Sequence, residues 1–149
     1  IAFRVMTLGL PAQAITDALA ANVACSNLKE EDVLFVVSSS GRTKDALNGA
    51  RTAKQAGAKI FPFTSYARNP LADLSDLSFV AVANEAYSYR ESMTARLTHL
   101  MMGDYLIELM AERMGAQAFR RFDAIVDVIE KNREALPAEE GSETPEADR

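Results

Sequence analysis

Residues 33–47, VLFVVSSSGRTKDAL, constrain the fold more than any other part of this chain. Five apolar residues, mostly β-branched or aromatic, run into three serines, a glycine and, two residues later, a threonine. Such a run suits a strand buried on both faces of a parallel sheet. The following stretch, Thr43–Gln55, is rich in Ala, Lys, Arg and Leu, which favour helix. The hydroxyls therefore occupy a tight strand-to-helix turn. That turn lies at the carboxyl end of a strand, where open α/β sheets place their ligands.

The flanking segments extend the same alternation. Ile1–Leu8 reads as a strand ended by Gly9 and Pro11, and AQAITDALAANVA as a helix with Ile15, Leu19 and Val23 spaced four apart. Gly57 is placed to cap the helix Thr43–Gln55. AKIFPFTS supplies a strand, YARNPLADLSD a loop with a short helical turn begun by Pro70, and LSFVAVA a last strand. Strands alternating with helices predict an α/β fold, a doubly wound, mainly parallel sheet flanked by helices. Ser92–Met114 then reads as a long helix with Met93, Leu97, Leu100, Met101, Leu106, Leu109 and Met110 on its apolar face. Gly115 breaks it, and Gln117–Asn132 follows as an amphipathic helix with Phe119, Phe122, Val126 and Ile129 at helical spacing. The domain is expected to span 1–134, and the acidic, Pro- and Gly-bearing segment 135–149 to form a disordered tail.

The serine turn suits an anion. A helix amino terminus offers unpaired N–H groups and the positive end of the helix dipole. Ser38, Ser39, Ser40 and Thr43 add hydroxyls at that point, and Gly41 lets the backbone approach without a Cβ. One hydroxyl suffices to cap a helix; four within six positions point instead to a bound phosphate. No GxxxxGK motif is present, so the cradle differs from a P-loop.

VVSSSGRTKDAL, AKQAGAKIFPFTS and NPLADLSDLSFVAV together resemble the sugar isomerase (SIS) domain, above all the effector domain of RpiR-type transcriptional regulators. The similarity runs from Ile1 to about Leu109. It implies a flavodoxin-like three-layer fold in which the SxSGxT turn, here Ser38 to Thr43, holds the phosphate of a phosphosugar. The backbone around Thr64 and Ser65 would lie beside the sugar. A regulator of that type joins a helix-turn-helix domain to its SIS domain; this chain contains no such segment, and it is expected to lack the first strand and helix of the SIS fold. DNA binding would then reside outside these residues.

The resemblance also implies an alternative, an aldose–ketose phosphosugar isomerase. Such an enzyme needs a base poised near neutral pH, and isomerases of the fold carry a glutamate in the loop before the long helix. Tyr87 falls at that place, flanked by Glu85 and Glu91, which are the weak catalytic candidates. Glu91 also suits the first turn of a helix, and Arg90 a solvated loop. His99 falls off the stripe of Leu97 and Met101 and is expected at the surface or a dimer interface. Asp104 and Glu108 mark the polar side of the helix, and its methionines suggest adaptable packing. A homodimer or homotetramer is implied, with the two last helices as the interface.

Composition narrows the classes further. A net charge of −5 without a basic cluster argues against nucleic-acid binding by these residues. No apolar stretch is long enough to span a bilayer, and no signal peptide is visible. A single cysteine, Cys25, excludes an internal disulfide and fits the cytoplasm. One histidine and one cysteine leave no soft ligand set for a metal, and no cofactor is expected.

Overall fold

The computed structural model describes residues 1–81 and 93–133. In chain order the elements are α1 (Ala2–Thr7), α2 (Ala18–Ser26), β1 (Val33–Val37), α3 (Lys44–Gln55), β2 (Lys59–Thr64), a 3-10 turn (Ala72–Leu74), β3 (Phe79–Val80), α4 (Met93–Met114) and α5 (Ala116–Lys131). The three described strands form one parallel sheet in the order β1-β2-β3, with Phe35 paired to Phe61 and Phe63 to Phe79.

Side-chain alternation divides the sheet into two faces. Ile60, Val36, Leu47 and Ala50 pack together with Leu71 and Leu74, which seats α3 on one face. The opposite face carries Phe35, Phe61, Phe63 and Phe79, with Phe63 and Phe79 stacked at 4.8 Å between ring centroids. Behind α3, Cys25 of α2 is buried with Ala53 and Ala58. Burial pushes the Cys25 thiol up from its ordinary range. Gly57, at φ +93°, ends α3 as a glycine cap.

Three expectations are corrected. Ile1–Leu8 is not a strand: Ala2–Thr7 is helical. The residues that pack inward are Ile1, Val5 and Leu8, at helical spacing, against Ile107 and Ala118. The dense apolar run hid that period. In α2, which starts at Ala18 with Asp17 Oδ1 accepting from Ala20 N at 2.8 Å, the stripe of Leu19 and Val23 faces outward. The helix instead packs its small residues against α3, where Gly49 sits opposite Cys25. In α4 the buried residues are Ala95, His99, Gly103 and Ile107, while Met93, Leu97, Leu100, Met101 and Leu109 are exposed. Ala95 and Gly103, eight positions apart on that face, are small enough to let neighbours approach closely, and Ile1 fills the notch at Gly103. Arg4 of α1 pairs with both Asp104 and Glu108, so those acids form an ion-pair cluster with α1.

Asp76 ties the loop after the 3-10 turn to β2. Its Oδ2 accepts from Ile60 N at 3.0 Å and its Oδ1 pairs with Lys59 Nζ at 3.1 Å. The Ile60 N–H, aided by Lys59, holds the carboxyl below the usual carboxylate range. A depressed folded-state pKa contributes stability above the unfolded value of about 4, and that stability is lost as pH falls through the folded value. Urea midpoints taken from about pH 6 down to about pH 3 should therefore fall less for Asp76→Asn than for the wild type. Parallel curves would remove Asp76 from the acid response.

Candidate functional site: a hydroxyl-lined cleft

The serine turn is held by β2 on one side and by the Asn69 turn on the other. Ser38 N donates to Phe63 O at 3.0 Å and Ser65 N to Ser39 O at 2.8 Å, which extends the ladder past the end of β1. Gly41 N then donates back to Ser38 O at 3.0 Å. Gly41 stands at φ +61°, and a Cβ there would lie 2.0 Å from Asn69 Oδ1. Only glycine meets both demands.

Asn69 is 7% exposed and closes the turn. Its Oδ1 accepts from Leu71 N at 3.0 Å and Ala72 N at 2.9 Å, and its Nδ2 donates to Tyr66 O at 2.7 Å. Leu71 N also donates to Gly41 O at 3.2 Å, so the two turns are laced together.

Thr43 occupies the N-cap of α3, yet its hydroxyl caps nothing; it lies 3.3 Å from Ser38 Oγ. Ser39 Oγ sits 2.9 Å from Ser65 Oγ. Ser38, Ser39 and Thr43 line a cleft of about 430 Å³ whose opposite wall is α4, through Ala95, Arg96 and His99. Among the described residues no carboxylate lines it, and Arg96 is a cation. With uncapped helix amides, three hydroxyls and a nearby cation, the cleft suits an anion.

Of the remaining expected site residues, Ser65 reaches the cleft's edge through Ser39, while Gly41 is buried under Asn69. Ser40 is exposed and does not line the cleft; its Oγ accepts from Arg42 N at 3.2 Å. Thr64 is fully buried, its hydroxyl donating to Tyr66 O at 2.9 Å, so its side chain braces the Asn69 turn. Glu85 and Glu91, like Tyr87 and Arg90, lie outside the described residues.

His99 departs from expectation. It is 7% exposed, lines the cleft, and its Nε2 finds no hydrogen-bond partner among the described residues. Asn69 was missed as well. The Asn-Pro pair at 69–70 was its one local signal, and the small residues Ala95 and Gly103, four positions to either side, were the corresponding signal for His99. Among the described residues no group of three His, Cys, Asp or Glu could hold a metal ion, and no helix is long and apolar enough to cross a membrane.

Sheet and turn together define a class of protein, the parallel α/β domains that carry their site where a strand hands over to a helix. The SIS domain family matches residues 1–109, and the chain belongs to that family. The HTH-type transcriptional regulator RpiR of Escherichia coli K12 is 33% identical over 125 residues, covering 82% of this chain and 42% of the regulator. An uncharacterized HTH-type transcriptional regulator of Caldanaerobacter subterraneus is 30% identical over 129 residues, 87% of this chain and 43% of its own length. The chain thus spans less than half the length of these curated relatives. Among solved structures, the Vibrio vulnificus NanR protein complexed with ManNAc-6P superposes with a TM-score of 0.83 at 23% identity, covering 90% of this chain and 50% of that one. The sugar isomerase domain of an RpiR transcription factor from Sphaerobacter thermophilus gives 0.71 at 17% identity, covering 84% and 68%.

Proposed function

We propose that this chain is the phosphosugar-binding domain of an RpiR-type transcriptional regulator of carbohydrate metabolism. The observation that carries the reading is the convergence of Ser38, Ser39 and Thr43 on one cleft at the uncapped start of α3. The similarity to HTH-type regulators supports the regulatory role, with DNA contacted by a helix-turn-helix segment outside residues 1–149. The phosphate sits on the turn, and the sugar extends across the cleft toward α4. Regulation follows by linkage: a ligand that binds two conformations or assemblies unequally shifts the balance between them.

Exposed Leu97, Met101 and Tyr105 form a second stripe on α4, opposite the buried one, and Phe119 and Phe122 are exposed on α5. An apolar face of this kind supports assembly as a homodimer or homotetramer, which sedimentation velocity reads directly.

The test is a thermal unfolding scan with phosphosugars and their dephosphorylated counterparts. A ligand that binds only the folded state raises the midpoint, by about 2.7 kcal/mol of stability at a hundredfold excess over Kd. A phosphosugar is expected to raise it and its free sugar to leave it unchanged; a midpoint that no phosphorylated compound moves overturns the reading. Exchange of solvent deuterium into the carbon beside the carbonyl of the bound sugar separates a sensor from an aldose–ketose isomerase, and none is expected.

A further inference from the structure

His99 faces Ser38, Ser39 and Thr43 from the other wall of the cleft. A buried polar atom without a partner is costly, and native proteins keep few of them. Among the described residues, Nε2 of His99 is such an atom. No described residue bonds it, and Val37, Ala46, Ala95 and Leu100 give its end of the cleft apolar walls. At about 430 Å³ the cleft falls in the size range of small-molecule sites, and a phosphate on the turn fills one end only. The imidazole therefore stands where the rest of a phosphorylated ligand must pass.

Resting on the phosphosugar reading above, we propose that His99 is a specificity-determining residue, its Nε2 hydrogen-bonding an oxygen of the sugar body while the turn holds the phosphate. The residue discriminates between phosphorylated ligands by what they carry beyond the phosphate. A bound sugar supplies the hydrogen bond that Nε2 lacks among the described residues.

The experiment compares the wild-type chain with His99→Leu and His99→Gln. Calorimetric titration uses glucose 6-phosphate, ribose 5-phosphate, ManNAc-6P and inorganic phosphate as probes, and the unfolding midpoint is taken without ligand. His99→Leu is expected to weaken the best phosphosugar about tenfold, the value of one hydrogen bond, and to leave inorganic phosphate within about twofold. Its unliganded midpoint should hold or rise, because a polar atom unpaired among the described residues has been removed. His99→Gln, with an amide near the same place, should recover most of the phosphosugar affinity. Unchanged phosphosugar affinity in His99→Leu overturns the inference and leaves the turn assignment standing. So does a parallel loss of phosphosugar and phosphate with a lowered midpoint, which marks a structural residue. A wild-type chain that binds none of the four probes overturns both readings.

Discussion

A Gly41→Ala variant is expected to lose about 3–5 kcal/mol of stability. Alanine at φ +61° carries a backbone penalty of about 1–2 kcal/mol. Its Cβ would meet the Asn69 carboxamide at 2.0 Å and displace a side chain that is held on both sides. Moving Asn69 strands the N–H of Ala72, about 1–3 kcal/mol when left unpaired, and takes one of two hydrogen bonds each from Leu71 N and Tyr66 O. For a chain of this size the unfolding midpoint should drop by about 10 °C. The displaced turn would also carry Ser39 and Thr43 away from the cleft, so phosphosugar binding should be lost even at temperatures where the variant is folded. Urea unfolding gives the first quantity and titration the second. A loss below about 1 kcal/mol would show that the Asn69 turn yields freely.

Thr43→Val separates binding from folding. The substitution keeps the side chain's shape and removes its hydroxyl, which makes no helix cap and, among the described residues, is bonded to Ser38 Oγ at 3.3 Å. Unliganded stability should change by no more than about 0.5 kcal/mol. A hydrogen bond to a charged group is worth about 1.5–3 kcal/mol, so phosphosugar affinity should fall roughly 10- to 100-fold. Ser40→Ala is the informative partner variant: Ser40 lies outside the cleft, bonded to Arg42 N, and its loss of affinity should be smaller. Equal affinities in Thr43→Val and wild type would remove the turn from the site.

The core of the fold and half of the site were legible in the sequence because both are written locally. The unit β1-α3-β2 follows from apolar period, helix propensity and the glycine at 57, all within a few residues of one another. Ser38, Ser39 and Thr43 were legible for the same reason, as hydroxyls crowded into one turn. Where the sequence misled, tertiary packing had decided. Ile1–Leu8 carries enough apolar residues for either period, and it is the partners Ile107 and Ala118, more than a hundred positions away, that select the helix. The inner face of α4 is drawn by Ala95, His99 and Gly103, residues that no hydropathy pattern marks as core. Thr64 was expected beside the sugar through its backbone, and no local pattern shows that Tyr66 O and Asn69 engage its hydroxyl.

The helix α4 has a mechanical consequence. Over 22 residues it forms a beam of about 33 Å, and its inner face does two jobs. Ala95 and His99 wall the cleft, while Gly103 and Ile107 are clamped by Ile1, Val5 and Leu8. Two residues further round, roughly 200° away, Leu97, Met101 and Tyr105 form the outer surface. A displacement of α4 at the cleft would move the outer stripe with it, because both are faces of one helix. What rests on that stripe would thus sit on the same helix that walls the cleft.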